Sequence, residues 1–251
     1  MRKFGLIGYP LGHSFSKKYF AEKFTGEGLN DCSYENFPLR KIEDISALID
    51  ADPEICGLNV TIPYKTEVTR FLSEVSTEAE AIGAVNVIKV VSRGGTRKLT
   101  GFNSDAFAFR ESILPFISDS SVNALVLGTG GASRAVEYIF KQLGIGYHRV
   151  SRSKKPGCIT YMDLNRDAIE NHEIIVNTTP AGMFPDTGSF PPIPYEYLSP
   201  RNLLYDLVYN PEVTVFMRKG KNMGCTVTGG LRMLHLQAEK SWQIWNDQTI
   251  R

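Results

Sequence analysis

The first stretch with chemical potential is "LNVTIPYKTEV", residues 58–68, in which a β-branched run through Val60, Thr61 and Ile62 breaks at Pro63 and reaches Lys65. Proline biases the residue before it toward extended backbone, and its own φ suits a first helical turn. The stretch is therefore expected to be a strand that ends sharply, with Lys65 entering a helix just past its carboxyl end. In open α/β sheets ligands bind at that rim. A second stretch, "VLGTGGASRA", sets Gly128, Gly130 and Gly131 between a strand-like and a helix-like segment. Glycines in that context allow a tight turn whose N–H groups, with the helix N-terminus, can approach a dinucleotide's diphosphate. Ser133 holds the third fingerprint position, where Gly or Ala is usual. The next strand ends in "SRSKK", so Ser151, Arg152, Ser153 and Lys154 present cations and no carboxylate. That chemistry suits a 2′-phosphate, favouring NADP over NAD. In "GHSFSKK", Ser14 and Ser16 could both address a carboxylate or a polyol, although by themselves they read as a helix N-cap.

These residues need a scaffold, and 251 residues suffice for one large or two ordinary domains. With 28 basic and 27 acidic side chains the net charge is +1, which carries no polyanion signal, so any bound anion must be held locally. The four cysteines are scattered without a C-x-x-C pair, which suits a reducing compartment and argues against zinc ribbons and disulfide frameworks. No apolar run approaches the roughly 20 residues of a membrane span. The opening "MRKFGLIGYPLG" is broken by Gly5, Gly8 and Pro10 and reads as a strand and loop rather than a signal peptide. Cytoplasm is the expected location.

Strand-like and helix-like segments alternate from the start, as in an α/β layer architecture. "KFGLIG", "SYENFPL", "CGLNVTI", "AVNVIKVV" and "RKLTGFN" read as strands. "KKYFAEKF" and "KIEDISALIDA" read as helices, the latter with Ile42, Ile45, Leu48 and Ile49 on one stripe. Near residue 106 a second unit begins, in which "NALVLG", "YHRVSR", "EIIVNTT" and "NLLYDLVY" are expected strands. "FPDTGSFPPIP" is a surface connection. The segment "LRMLHLQAEKSWQIW" carries Leu231, Leu234, Ala238, Trp242 and Trp245 at helical period. It is expected to fold back onto the first domain.

Taken in order, these stretches resemble the shikimate dehydrogenase family over nearly the whole chain, from "GYPLGHSFSK" to "GLRMLHLQA". The resemblance implies an α/β fold with a substrate-binding catalytic domain over 1–105, completed by the helix 231–251. It implies a Rossmann-type NADP-binding domain over 106–230. The implied reaction is reversible hydride transfer between NADPH and C3 of 3-dehydroshikimate, giving shikimate, in the shikimate pathway of aromatic amino acid biosynthesis. Lys65 of the family's "N-V-T-x-P-x-K" and Asp105 of its "G-x-N-T-D" are the implied catalytic residues, the proton carrier being Lys65 alone or the pair. Ser14 and Ser16 are implied to meet the substrate carboxylate. Asn59, Thr61, Asn86 and Gln237 would bond the hydroxyls, with Tyr209 of "DLVYNP" in the same set. The implied cofactor contacts are Gly128, Thr129, Gly130, Gly131 and Ala132, then Ser151, Arg152 and Ser153, with Thr178, Leu207 and Gly230. No metal site is implied, and the assembly is a monomer or homodimer without membrane or nucleic-acid partners. The chain departs from the pattern at Val87 and Ser104, where Thr is usual, at Ala108 for Gly, and at Ser151 for Asn. Two other readings stay open: a dehydrogenase of broader quinate/shikimate specificity, and a non-catalytic NADP-binding regulatory module on the same fold.

Overall fold

The computed structural model describes residues 1–11, 15–93, 95–117 and 121–249. His13 and Ser14 lie outside the described residues. The chain divides into two compact units, Met1–Ser104 with Ala238–Arg251, and Asp105–Gln237.

In the first unit the elements are β1 (Arg2–Gly8), α1 (Phe15–Gly26), β2 (Cys32–Pro38), α2 (Ile45–Ala51), β3 (Ile55–Val60), β4 (Glu74–Val75), α3 (Thr77–Ile82), β5 (Val87–Arg93) and β6 (Thr96–Phe102). They form a six-stranded sheet of order β2-β1-β3-β5-β6-β4. β1 is parallel to both β2 and β3, whereas β5 is antiparallel to β3 and β6, so the sheet is mixed. One face buries Ile7, Ile42, Ile45, Ile49, Leu58 and Val60. "KIEDISALIDA" divides into a 3₁₀ turn (Ile42–Asp44) and the short α2, both of which place their isoleucines in that core.

The second unit begins with α4 (Asp105–Ile113), followed by β7 (Asn123–Leu127), α5 (Gly131–Gln142), β8 (Gly146–Ser151), β9 (Cys158–Thr160), α6 (Arg166–Glu170), β10 (Ile174–Asn177), β11 (Leu203–Asp206), α7 (Val215–Asn222) and β12 (Thr226–Thr228). Its sheet is parallel throughout, in the order β12-β11-β10-β7-β8-β9. Parallel strands covered on both faces read as unbroken apolar runs, which is why β7, β10 and β11 are conspicuous as "NALVL", "IIVN" and "LLYD". β4, β9 and β12 span two or three residues each, too few to show a period, and sequence patterning misses them.

The last helix, α8 (Leu231–Asn246), starts within the second unit, and its residues from Ala238 onward belong to the first. There Trp245 is buried in an aromatic cluster, stacked on Phe4 at 4.8 Å, with its indole N–H donating to the Ile88 carbonyl at 3.0 Å. Gly57 on β3 leaves the space the indole fills, because a Cβ there would collide with the ring. Trp245→Ala should therefore destabilise the protein by about 3–5 kcal/mol, the usual loss for a buried Trp. Urea denaturation followed by circular dichroism measures it.

Candidate active site

β1 and β3 run parallel, so their carboxyl ends lie side by side, and backbone contact there is close. Thr61 N–H donates to the Ile7 carbonyl at 2.9 Å and Tyr9 N–H to the Ile62 carbonyl at 3.2 Å. A Cβ on Gly8 would lie 2.5 Å from the Thr61 methyl, so only glycine permits this approach. β3 ends at Val60, and residues 62–67 form turns leading to a 3₁₀ helix at Val68–Phe71. Lys65 thus stands in a turn rather than entering an α-helix. Tyr64 N–H bonds to Thr61 and Val68 N–H to Tyr64 there, and the chain stays in turns through residue 67 without propagating a helical ladder. The Lys65 carbonyl accepts from Val85 N–H at 2.7 Å, which fixes the lysine's backbone beside the residue that precedes Asn86.

Beside Lys65 lies a buried polar network. Asn59 and Asn86 are 5% and 2% exposed. The Asn59 amide oxygen accepts from the Tyr34 hydroxyl at 2.8 Å, and its NH₂ donates to Ser241 Oγ at 2.9 Å. The Asn86 amide oxygen accepts from Ser104 N–H at 2.7 Å, while its NH₂ donates to Ser104 Oγ at 3.0 Å. Ser104 and Ser241 hydroxyls are 3.3 Å apart. Ser16 lies inside the first turn of α1, not at its cap, and its hydroxyl bonds Tyr34. Burial drives the Tyr34 phenol well above its ordinary pKa, against the opposing Ser16 bond, so Tyr34 is a neutral donor at physiological pH. Ser16, Asn59 and Asn86 are thereby joined through Tyr34, Ser241 and Ser104. Sequence reasoning misses Tyr34 and Ser241. The signal for Ser241 is a hydroxyl on the apolar stripe of α8, between Ala238 and Trp245.

In the second unit the strand order reverses between β10 and β7, the topological switch point at which doubly wound sheets bind ligands. β7 runs into Gly128 (φ +120), where a Cβ would lie 2.5 Å from Thr178 Oγ1. Thr178 donates from both N–H and Oγ1 to the Leu127 carbonyl, at 3.0 and 2.7 Å. A Cβ on Gly130 would meet nothing within 4 Å, and Gly130 gives α5 no side-chain cap. Gly131 and Ala132 open that helix, so its first N–H groups face an open cradle. N–H groups at a helix N-terminus favour the negative charge of a diphosphate. Ser133 is fully buried and donates to the Gly130 carbonyl at 2.8 Å, so the fingerprint tolerates it without an orphaned hydroxyl.

The loop after β8 is held by Ser151, whose hydroxyl accepts from Ser153 N–H at 3.4 Å. Arg152, Ser153 and Lys154 are exposed. Lys155, which sequence reasoning passes over for Lys154, donates to Thr129 Oγ1 at 3.0 Å and ties the basic loop to the glycine turn. At the end of β11, Asp206 is fully buried and receives Asn177 Nδ2 at 2.9 Å, Val208 N–H at 3.0 Å and Thr214 Oγ1 at 2.6 Å. Asn177 in turn accepts from Thr179 N–H and Oγ1. This carboxylate therefore anchors both loops that carry Thr178 and Leu207. Leu207 lies directly against Gly230, where any Cβ would strike the Leu207 carbonyl. Burial raises the Asp206 pKa to about 6, with its three hydrogen bonds opposing.

Asp105 opens α4 immediately after Ser104 and is 5% exposed. Tyr209 and Gln237 are half-buried in the second unit, and burial raises the Tyr209 phenol's pKa. Among the described residues no group of three or more His, Cys, Asp or Glu could hold a metal ion. No helix among them is long and apolar enough to cross a membrane.

Together these units define a two-part α/β protein, with a polar rim in the first unit and a dinucleotide cradle in the second. Residues 6–88 match the family model described as the shikimate dehydrogenase substrate binding domain. The shikimate dehydrogenase (NADP(+)) of Methanococcus maripaludis is 34% identical, over 96% of this chain and 90% of that protein. The crystal structure of shikimate dehydrogenase 1 from Peptoclostridium difficile aligns with a TM-score of 0.83 at 35% identity, covering 100% of this chain and 94% of that one. That of the Thermus thermophilus enzyme, in complex with NADP(H) and shikimate, aligns at 0.84 and 30% identity, covering 98% and 94%. The chain belongs to the shikimate dehydrogenase family.

Two outcomes follow from the cradle. Gly128→Ala, which meets Thr178 and a left-handed φ, should weaken NADP binding at least about tenfold, a loss of about 1.4 kcal/mol, measured by titration calorimetry. For Asp206, a raised native pKa means that the folded state binds the proton more tightly than the unfolded chain. Its contribution therefore becomes less favourable as pH rises from about 4 through about 6. Relative to Asp206→Asn, wild-type stability should fall by about 3 kcal/mol across that window, at 1.36 kcal/mol per pKa unit. Urea midpoints of both proteins at a series of pH values check it.

Proposed function

We propose that this chain catalyses the NADP-dependent, reversible interconversion of 3-dehydroshikimate and shikimate. The observation that carries the reading is the presence in one chain of an open glycine cradle beside a carboxylate-free basic loop and of a polar rim containing Lys65 and Asn86. NADP, when bound, supplies the hydride acceptor and its reduced form the donor. Gly128–Ala132 would receive the diphosphate on backbone N–H groups, and Arg152 with Ser153 the 2′-phosphate, Lys155 standing as a third cation of that loop. Thr178, Leu207 and Gly230 would shape the nicotinamide side.

On the substrate, Lys65 protonates the C3 oxygen as it gains charge during reduction and removes that proton during oxidation. Asp105 orients Lys65 and accepts from a substrate hydroxyl. Ser16, with Ser14, meets the carboxylate near the N-terminus of α1, where anions are favoured. Thr61, Asn86, Gln237 and Tyr209 bond the remaining hydroxyls. Asn59, whose amide is bonded within the protein at both ends, serves the site by holding its neighbours. The enzyme works in the cytoplasm, a setting that its four free thiols suit, as a monomer or homodimer.

Two variants test the reading. Lys65→Ala should lower kcat by roughly 10²–10⁴-fold with a smaller change in shikimate KM; a raised KM with kcat preserved would leave a binding lysine only. Arg152→Ala should raise the KM for NADP by about 10–150-fold, since charge-assisted hydrogen bonds contribute about 1.5–3 kcal/mol each. The KM for NAD should barely move. Steady-state kinetics with both cofactors decide it.

A further inference from the structure

Ser241 lies on α8, four residues past Gln237, and is fully buried in a helix face that otherwise packs Ala238 and Trp245 into the first unit. A hydroxyl in such a place costs stability unless it is bonded. Two polar groups of the substrate rim are among its partners: Asn59 Nδ2 at 2.9 Å and Ser104 Oγ at 3.3 Å.

The orientations of the two amides are determined by atoms that can act in only one way. Asn59 Nδ2 also faces the Asn86 main-chain carbonyl at 3.4 Å, which can only accept, so the amide oxygen must turn toward Tyr34. Ser241 Oγ therefore accepts from Asn59. On the other side Ser104 N–H can only donate, so it orients the Asn86 amide oxygen inward and its NH₂ toward Ser104 Oγ. One Asn86 N–H is committed to Ser104 and the second is left to present to an incoming hydroxyl. The Ser104 hydroxyl, which also lies 3.3 Å from the Asn86 amide oxygen, is the hinge of that geometry, and Ser241 is its further partner at 3.3 Å.

We infer that Ser241 is a positioning residue for the substrate polyol, acting through Ser104 and Asn59 to fix the direction in which Asn86 donates. The inference rests on the proposed role of Asn86 as a substrate contact. It concerns no cofactor group, because Ser241, Ser104, Asn59 and Asn86 all belong to the first unit.

The test is steady-state kinetics on Ser241→Ala, Ser104→Ala, the double variant and Asn86→Ala, beside thermal melting of each ligand-free protein. Ser241→Ala should raise the shikimate KM about threefold to tenfold, the size of one hydrogen bond, with kcat and the NADP KM within about twofold. The double variant should show less than the product of the single effects, as groups acting through one hinge do. A lowered melting temperature with an unchanged shikimate KM would overturn the inference and leave a structural hydroxyl. If Ser241→Ala does not fold, Ser104→Ala reads the same hinge, and a normal shikimate KM there overturns it equally. Should Asn86→Ala leave the shikimate KM unchanged, the site assignment itself falls. A strong Asn86→Ala effect with a silent Ser241→Ala removes only the positioning role.

Discussion

An amide withdrawn from water must find partners for both of its ends, and in this protein two such amides, Asn59 and Asn86, are sealed at the carboxyl end of β3. The cost of leaving either end unmade is about 1–3 kcal/mol, more than the net gain of making it. That asymmetry dictates what surrounds them. β2 supplies Tyr34, the end of β6 leads to Ser104, and α8 returns from the far end of the chain to supply Ser241. The sheet's mixed topology serves the same need, since β5 runs antiparallel to β3 and the Asn86 carbonyl that precedes it receives Val60 N–H.

The second unit is governed by a different constraint, the closeness of backbone to its neighbours at the switch point. Gly128 sits against Thr178, and Gly230 against Leu207, with no room for a methyl group at either place. Such contacts make a cradle from main-chain N–H groups, and they need rigid neighbours. Asp206 provides that rigidity, because one carboxylate accepts three donors from the elements around it. Burial raises its pKa, a desolvation that the protein tolerates to keep the loops in place.

Much of this is legible in the residues. The parallel strands of the second unit announce themselves as apolar runs, and the glycine turn between β7 and α5 stands where its spacing puts it. The serine at position 133 looks like a departure, yet it is absorbed by one bond to the Gly130 carbonyl. What patterning could not supply is long-range pairing. Tyr34 and Ser241 are 25 and 182 residues from Asn59 in sequence, and nothing local marks either as its partner. A helix is expected at Lys65 because proline suits a first turn, but the chain stays in turns through residue 67. Lys155 is overlooked beside Lys154 because only the folded loop distinguishes the lysine that reaches Thr129.

The joint claim of a basic loop made for a 2′-phosphate and a rim made for shikimate is tested most directly on the unaltered protein. Initial rates of cofactor reduction should be measured with shikimate and with quinate, each with NADP and with NAD. Turnover of shikimate with NADP, at a kcat/KM exceeding that with NAD by at least about tenfold, the weight of one charge-assisted hydrogen bond, is the expected result. Equal use of NAD, or no shikimate oxidation by a folded protein that binds NADP, would contradict it.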